Sequence, residues 1–149
     1  ENMTLPTIDR YARFLGVMDK KKERETAQSY IKSLSIATTD AYKRVRYLSG
    51  GNQQKVVIAK WLNAGARIFI FDEATRGIDV KAKAEIYRLM GELAAQGAAV
   101  INISMEFQEV LGVSDRILVM REGVFVGELT RQEATLDRLY TMAGGENNA

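Results

Sequence analysis

Two short stretches hold the residues whose types and spacing could do chemistry. The first is Leu48-Ser49-Gly50-Gly51-Asn52-Gln53-Gln54-Lys55. A serine and two glycines at the start of a helical pattern leave the first backbone N–H groups of that helix uncovered. Such a terminus offers oriented donors and partial positive charge to an anion, with Lys55 one turn further on. The same residues fit a plainer role, in which Ser49 caps the helix and the glycines form its lead-in loop. Taken alone, they favour that plainer role. The second stretch is Ile68-Phe69-Ile70-Phe71-Asp72-Glu73. In open parallel sheets, ligands sit beyond the carboxyl ends of the strands, which is where this acid pair falls. One carboxylate there can hold Mg²⁺, directly or through water, and the next can polarise an attacking water. Alternatively, the acids simply begin a loop, or Glu73 opens the following helix.

What the chain lacks narrows the chemistry. It contains no histidine, so the commonest general base and the commonest neutral metal ligand are out. Acid–base work must rest on carboxylates, Lys, Tyr or bound water. With no cysteine there is no disulfide framework and no thiolate metal site, in agreement with a reducing cytoplasm. The formal net charge is only +2. The Lys20-Lys21-Lys22-Glu23-Arg24 run lies inside a helical pattern, with Glu25 next, and reads as a solvated helix face; no nucleic-acid partner is expected. Apolar residues at 46% and charged residues at 27% describe an ordinary globular chain, not a disordered tail. No apolar run approaches the roughly 18 residues of a membrane-spanning helix. The first residues, Glu1-Asn2-Met3-Thr4-Leu5-Pro6, lack a basic region followed by an apolar one, so no secretory signal is expected.

The elements that must position these stretches are readable from periodicity. Asp19 is placed to cap a helix whose Ala27, Tyr30, Ile31 and Leu34 recur at helical spacing. Thr38 to Tyr47 reads as a connection. A second helix is predicted from about Ser49 to Asn63, with Val57/Trp61 and Ile58/Leu62 four apart. Arg67 to Phe71, continuously apolar after its first residue, predicts a strand covered on both faces. A helix carrying Ala82, Ile86, Leu89, Met90 and Leu93 on one stripe should end at Gly97. Ala98 to Ile103 predicts a second buried strand, and Met105 to Leu111 a short helix. Ile117–Met120 and Val124–Gly127 flank Arg121-Glu122-Gly123 as a hairpin. A closing helix uses Leu136, Leu139 and Tyr140. Strand–helix–strand alternation after residue 66 predicts an α/β fold with a mostly parallel sheet.

Taken together and in order, the two stretches and the Arg76-Gly77-Ile78-Asp79 that follows them resemble the ABC ATPase family. They match its LSGG signature, its Walker B strand and its D-loop. The fuller run Leu48 to Lys55, with Ala59-Lys60-Trp61-Leu62, Asp72 to Val80 and the closing Ile117 to Gly123, is similar to a narrower group. That group is the C-terminal cassette of the two-cassette ATPases that drive bacterial monosaccharide importers of the ribose, galactose and xylose type. The resemblance implies a partial P-loop NTPase core with a helical subdomain, part of it in residues 1–48; residues 49–149 would hold the signature helix and the C-terminal part of the α/β core. Three departures stand out. No G-x-x-x-x-G-K-[ST] loop occurs in the sequence, so the chain is expected to begin inside a cassette, after that loop. Ser104-Met105-Glu106 puts Met105 where such cassettes usually carry a switch histidine, and Met105 reads as a flexible packing residue. Ala74 replaces the proline usual after the acid pair, which frees a backbone N–H.

The resemblance also implies a mechanism. Cassettes pair head to tail, so Ser49, Gly50 and Gly51 would contact the γ-phosphate of ATP held by the other cassette of the same protein, and Gln53 would help position it. Asp72 would hold Mg²⁺, through water, and Glu73 would act as the catalytic carboxylate at the chain's own site, with Asp79 in the D-loop. Without the switch histidine, that second site is expected to be weak. Lacking the phosphate loop, the isolated chain is expected to be inactive. The partners implied are the other cassette and a transmembrane permease on the inner face of the bacterial plasma membrane, with the sugar itself not bound directly. Two other readings compete: a permease-docking module without nucleotide chemistry, and a non-transport ABC ATPase of the DNA-repair or translation-factor kind.

Overall fold

The computed structural model describes residues 1–12 and 17–144. They fall into two compact units, one made of residues 1–12, 17–69 and 75–99, the other of 70–74 and 100–144.

In the first unit, the Asp19 side chain accepts the Lys22 N–H at 3.0 Å and starts α1 (Lys20–Ser33). The chain leaves α1 through Ser35, whose φ of 49° is left-handed, and Ile36 N–H closes the turn on the Ile31 carbonyl. After a 3₁₀ turn at Val45–Tyr47 comes α2 (Gly50–Ala64), ended by Gly65 in the left-handed conformation. Ala27 of α1 and Val56 and Ala59 of α2 share a core with Met3, Ile36 and Leu48. An N-terminal 3₁₀ segment, Leu5–Tyr11, was not anticipated by periodicity. It is held by polar contacts at the far end of α2: Asn63 Nδ2 donates to Thr7 Oγ1 at 2.7 Å, and the Tyr11 hydroxyl to Asn63 Oδ1 at 3.1 Å. Of the stripe that periodicity predicted, α3 (Val80–Ala95) buries Ile86, Leu89, Met90 and Leu93 and leaves Ala82 half-buried, and Gly97 follows it at φ 87°.

β1 (Ile68–Asp72) and β2 (Ala99–Ile103) pair in parallel. Ala99 N–H donates to the Arg67 carbonyl at one end, and Glu73 N–H to the Ile103 carbonyl at the other, each at 2.9 Å. The expected α/β class with a parallel sheet is therefore present. The expectation of two covered faces is corrected. Phe69 and Phe71 are buried, whereas Ile68 is 66% and Ile70 64% exposed, and Ile101 and Ile103 of β2 are about half exposed. A continuous apolar run signals that both faces of a strand avoid water, but the described residues supply cover for one.

In the second unit, α4 (Phe107–Val113) and α5 (Leu136–Ala143) accompany the antiparallel hairpin of β3 (Arg116–Arg121) and β4 (Val124–Thr130). Glu122 and Gly123 both have positive φ, the primed two-residue turn that matches strand twist. Ile117, Val119 and Leu129 pack with Leu139 of α5, and Phe107 meets Tyr140 edge-on.

Candidate functional site

Ser49, Gly50, Gly51 and Gln53 all lie at the start of α2, and that start is open. Ser49 occupies the N-cap position, but its side chain caps no helical N–H, contrary to the expectation. Its Oγ is instead 2.8 Å from Asn52 Nδ2. The reason is competition: Asn52, three residues on, is anchored by the Ala37 N–H at 2.7 Å and holds the hydroxyl away from the cap geometry. Gln53 N–H bonds the Ser49 carbonyl, so α2 proper begins there, and the N–H groups of the preceding residues are the unpaired donors of any helix start. The Gln53 side chain turns back, Nε2 donating to the Leu48 carbonyl at 2.9 Å.

The glycines have a second use that spacing did not reveal. A Cβ on Gly51 would stand 2.5 Å from Ala82 Cβ, and one on Gly50 would stand 2.8 Å from Ile78 Cγ2. The first turn of α2 thus presses on the residues that begin α3. Asp79, expected in the D-loop, caps α3, its carboxylate accepting the Ala82 N–H at 2.9 Å. Gly50, Gly51 and the residues around Asp79 are one packed feature.

Lys55 is a correction. It does not reach toward the helix start as an anion ligand. It is buried, with Nζ 2.7 Å from Glu85 Oε2 of α3 and 3.1 Å from the Ser35 carbonyl. A residue six positions past Ser49 lies about 600° round the helix, two-thirds of a turn out of phase, and so faces α3. The Lys55 ammonium holds the Glu85 carboxyl below its ordinary range, first through the hydrogen bond and then through charge.

Asp72 and Glu73 belong to the other unit. Asp72 ends β1 with its side chain exposed. Mg²⁺ binds through one or two carboxylates while keeping several waters, so a single exposed Asp fits such an ion; no group of three or more acidic or imidazole ligands occurs among the described residues. Glu73 has a left-handed backbone, φ 47°, and Oε1 accepts the Met105 N–H at 2.8 Å. The segment after β2 is further fixed by Ser104, whose Oγ donates to the buried Glu109 at 3.2 Å and accepts the Glu106 N–H at 3.0 Å. Met105 itself is 81% exposed, so it does not pack as expected. Its backbone, not its side chain, is what the fold uses.

Comparison with known proteins follows the same lines. The sequence model of the family described as ABC transporter matches residues 1–76. The chain is 50% identical over 145 residues to a ribose import ATP-binding protein, RbsA, of Bacillus licheniformis, covering 97% of this chain and 29% of that protein. It is 49% identical over 148 residues to RbsA of Clostridium perfringens, covering 99% of this chain and 30% of the relative. Among solved structures, a dimeric bacterial ABC transporter cassette superposes with a TM-score of 0.70 at 26% identity, over 88% of this chain and 55% of the other. The chain thus spans about 30% of the length of the curated relatives it matches. With the signature-like helix start, the acid-tipped strand and the matching cassette fold in hand, the chain belongs to the ABC transporter family.

Proposed function

We propose that this chain is part of the ATP-hydrolysing subunit of a bacterial importer of ribose or a similar monosaccharide, as its relatives' names suggest. Residues 1–48 would contribute to the helical subdomain and residues 49–149 to the signature helix and the α/β core. Ser49, Gly50 and Gly51 receive the terminal phosphate of ATP held by a facing cassette, and Gln53 stiffens the approach through Leu48. Asp72 holds Mg²⁺ through water, and Glu73 lies beside it as the carboxylate of a second, weaker site. The subunit works at the cytoplasmic face of the membrane with a permease, and the sugar does not touch this chain. The single observation that carries the reading is the uncapped start of α2, where Ser49 leaves helical donors unpaired although a cap would stabilise the helix by about 1 kcal/mol. Bound, the nucleotide and Mg²⁺ supply the reacting phosphoryl group and its charge neutralisation. The chain's own groups orient and neutralise charge and keep the phosphate in place.

In the full-length protein carrying this chain, Ser49→Arg should abolish ATP turnover, because a bulky cation would fill the space at the helix start. Glu73→Gln should cost much less. Equal losses would overturn the asymmetry between the two sites. A docking role is supported by a cavity of about 380 Å³ bordered by Met3, Arg24, Ile36, Tyr42 and Val45, beside α1. It is compatible with the ATPase reading, since a permease must be gripped somewhere. Pull-down of the permease with a variant at Tyr42 would separate gripping from hydrolysis.

A further inference from the structure

The hydrogen bonds around Asn52 determine which way the Ser49 hydroxyl points. Ala37 N–H lies 2.7 Å from Asn52 Oδ1. A backbone N–H only donates, so the amide oxygen of Asn52 must face Ala37 and its NH₂ must face the other way. That NH₂ lies 2.8 Å from Ser49 Oγ, and it too only donates. Ser49 therefore accepts from Asn52, and its own proton is directed elsewhere. Among the described residues no acceptor takes that proton, and the side chain caps no N–H of α2.

The anchor at Ala37 is itself held. The turn that carries it begins at Ser35, in the left-handed conformation, and the Ser35 carbonyl accepts from the buried Lys55 Nζ at 3.1 Å. Lys55 is pinned to Glu85 of α3. A continuous series of contacts thus runs from Glu85 through Lys55 and the 35–37 turn to Asn52 and ends on Ser49, all within one compact unit.

We propose that Asn52 is a positioning residue that presets the Ser49 hydroxyl as a hydrogen-bond donor for an anion at the start of α2. The inference rests on the reading of Ser49 as a phosphate contact and adds its orienting partner. A free hydroxyl rotates among three staggered positions, and only some aim a proton at the ligand. Asn52 occupies the acceptor side of the hydroxyl and removes the unproductive choices before the ligand arrives. It touches no reacting atom.

The test is a double-mutant cycle on kcat/KM for ATP in the full-length protein with its permease, using Asn52→Ala, Ser49→Ala and the pair. Loss of one hydrogen bond's worth of orientation should lower kcat/KM about tenfold for Asn52→Ala. In the Ser49→Ala background the same change should cost less than twofold, because no hydroxyl remains to be aimed. A merely structural Asn52 would instead give the same loss in both backgrounds, and that result overturns the proposal. If Asn52→Ala does not fold, Asn52→Asp keeps the acceptor for Ala37 but turns a second acceptor toward Ser49. Its loss should be larger with Ser49 present than with alanine there, and equal losses again overturn the proposal. A Ser49→Ala variant with unchanged turnover would instead sink the phosphate-contact reading itself, so the two failures are distinguishable.

Discussion

Glu73 and Met105 are joined by a hydrogen bond from the Met105 backbone N–H to the Glu73 carboxylate, 2.8 Å long. The Glu73 N–H simultaneously donates to the Ile103 carbonyl. One acidic residue therefore grips the chain leaving β2 at two points, from a left-handed backbone conformation that side chains rarely adopt. Whatever else Glu73 does, it fixes the segment that follows β2.

That double role separates two substitutions. Glu73→Gln retains a carbonyl oxygen for Met105 and should leave stability within about 0.5 kcal/mol of the parent. Glu73→Ala removes the acceptor and should cost about 1–2 kcal/mol. Urea unfolding of the chain, followed by circular dichroism, measures both. Equal stabilities would mean the Met105 contact contributes nothing.

The close approach of α2 to α3 predicts an ordering of glycine substitutions. Gly51→Ala places its methyl against Ala82 Cβ, a group that cannot rotate away, and should destabilise by about 1–3 kcal/mol. Gly50→Ala meets the Ile78 Cγ2 methyl, which rotation about χ1 can move, and should cost less. Thermal unfolding of the two variants decides the order.

The Lys55–Glu85 pair predicts an asymmetry and a pH dependence. Glu85→Ala leaves a buried ammonium without its carboxylate, whereas Lys55→Met leaves a carboxylate that water can reach, so Glu85→Ala should be the more destabilising. The folded-state pKa of Glu85 is depressed, through the Lys55 hydrogen bond first. Its contribution is therefore fully present above the ordinary carboxylate pKa and lost as pH falls through the lower folded value. Lys55→Met should flatten that acid limb of the stability profile, as chemical denaturation between pH 6 and the acid range, roughly pH 3, would reveal.

Nucleotide affinity gives a fourth expectation. With no G-x-x-x-x-G-K-[ST] loop in its sequence, the chain alone should hydrolyse no ATP and bind Mg-ATP only weakly. Isothermal calorimetry should detect no binding at micromolar concentration; a clear micromolar isotherm would contradict the division of labour proposed between facing cassettes.

Much of this was legible in the residues. The spacing of Ile86, Leu89, Met90 and Leu93 predicted the buried stripe of α3, and Arg121-Glu122-Gly123 announced the hairpin, whose turn is Glu122-Gly123 with Arg121 still in β3, because both signals are local. The acid pair fell at the end of a strand as its apolar run implied. What stayed hidden depends on contacts between distant positions. Lys55 looked like a ligand because its partner Glu85 is 30 residues away. Ser49 looked like a cap because the Ala37 N–H that claims Asn52 lies on another turn of chain. Asn52 drew no attention for the same reason, although an amide sandwiched between a backbone donor and a serine could have been suspected from its place three residues after Ser49. The 3₁₀ segment Leu5–Tyr11 was missed because polar side chains around Asn63 hold it, and these leave no periodic apolar trace.

The outward isoleucines of β1 and β2 carry a practical corollary. Ile70, Ile101 and Ile103 give the second unit an oily panel in contact with solvent. A preparation of this chain alone should light up the dye ANS while still native, and salting-out agents should precipitate it early. Mild detergent or arginine in the buffer, rather than a colder room, is the sensible remedy, since hydrophobic adhesion weakens only modestly on cooling.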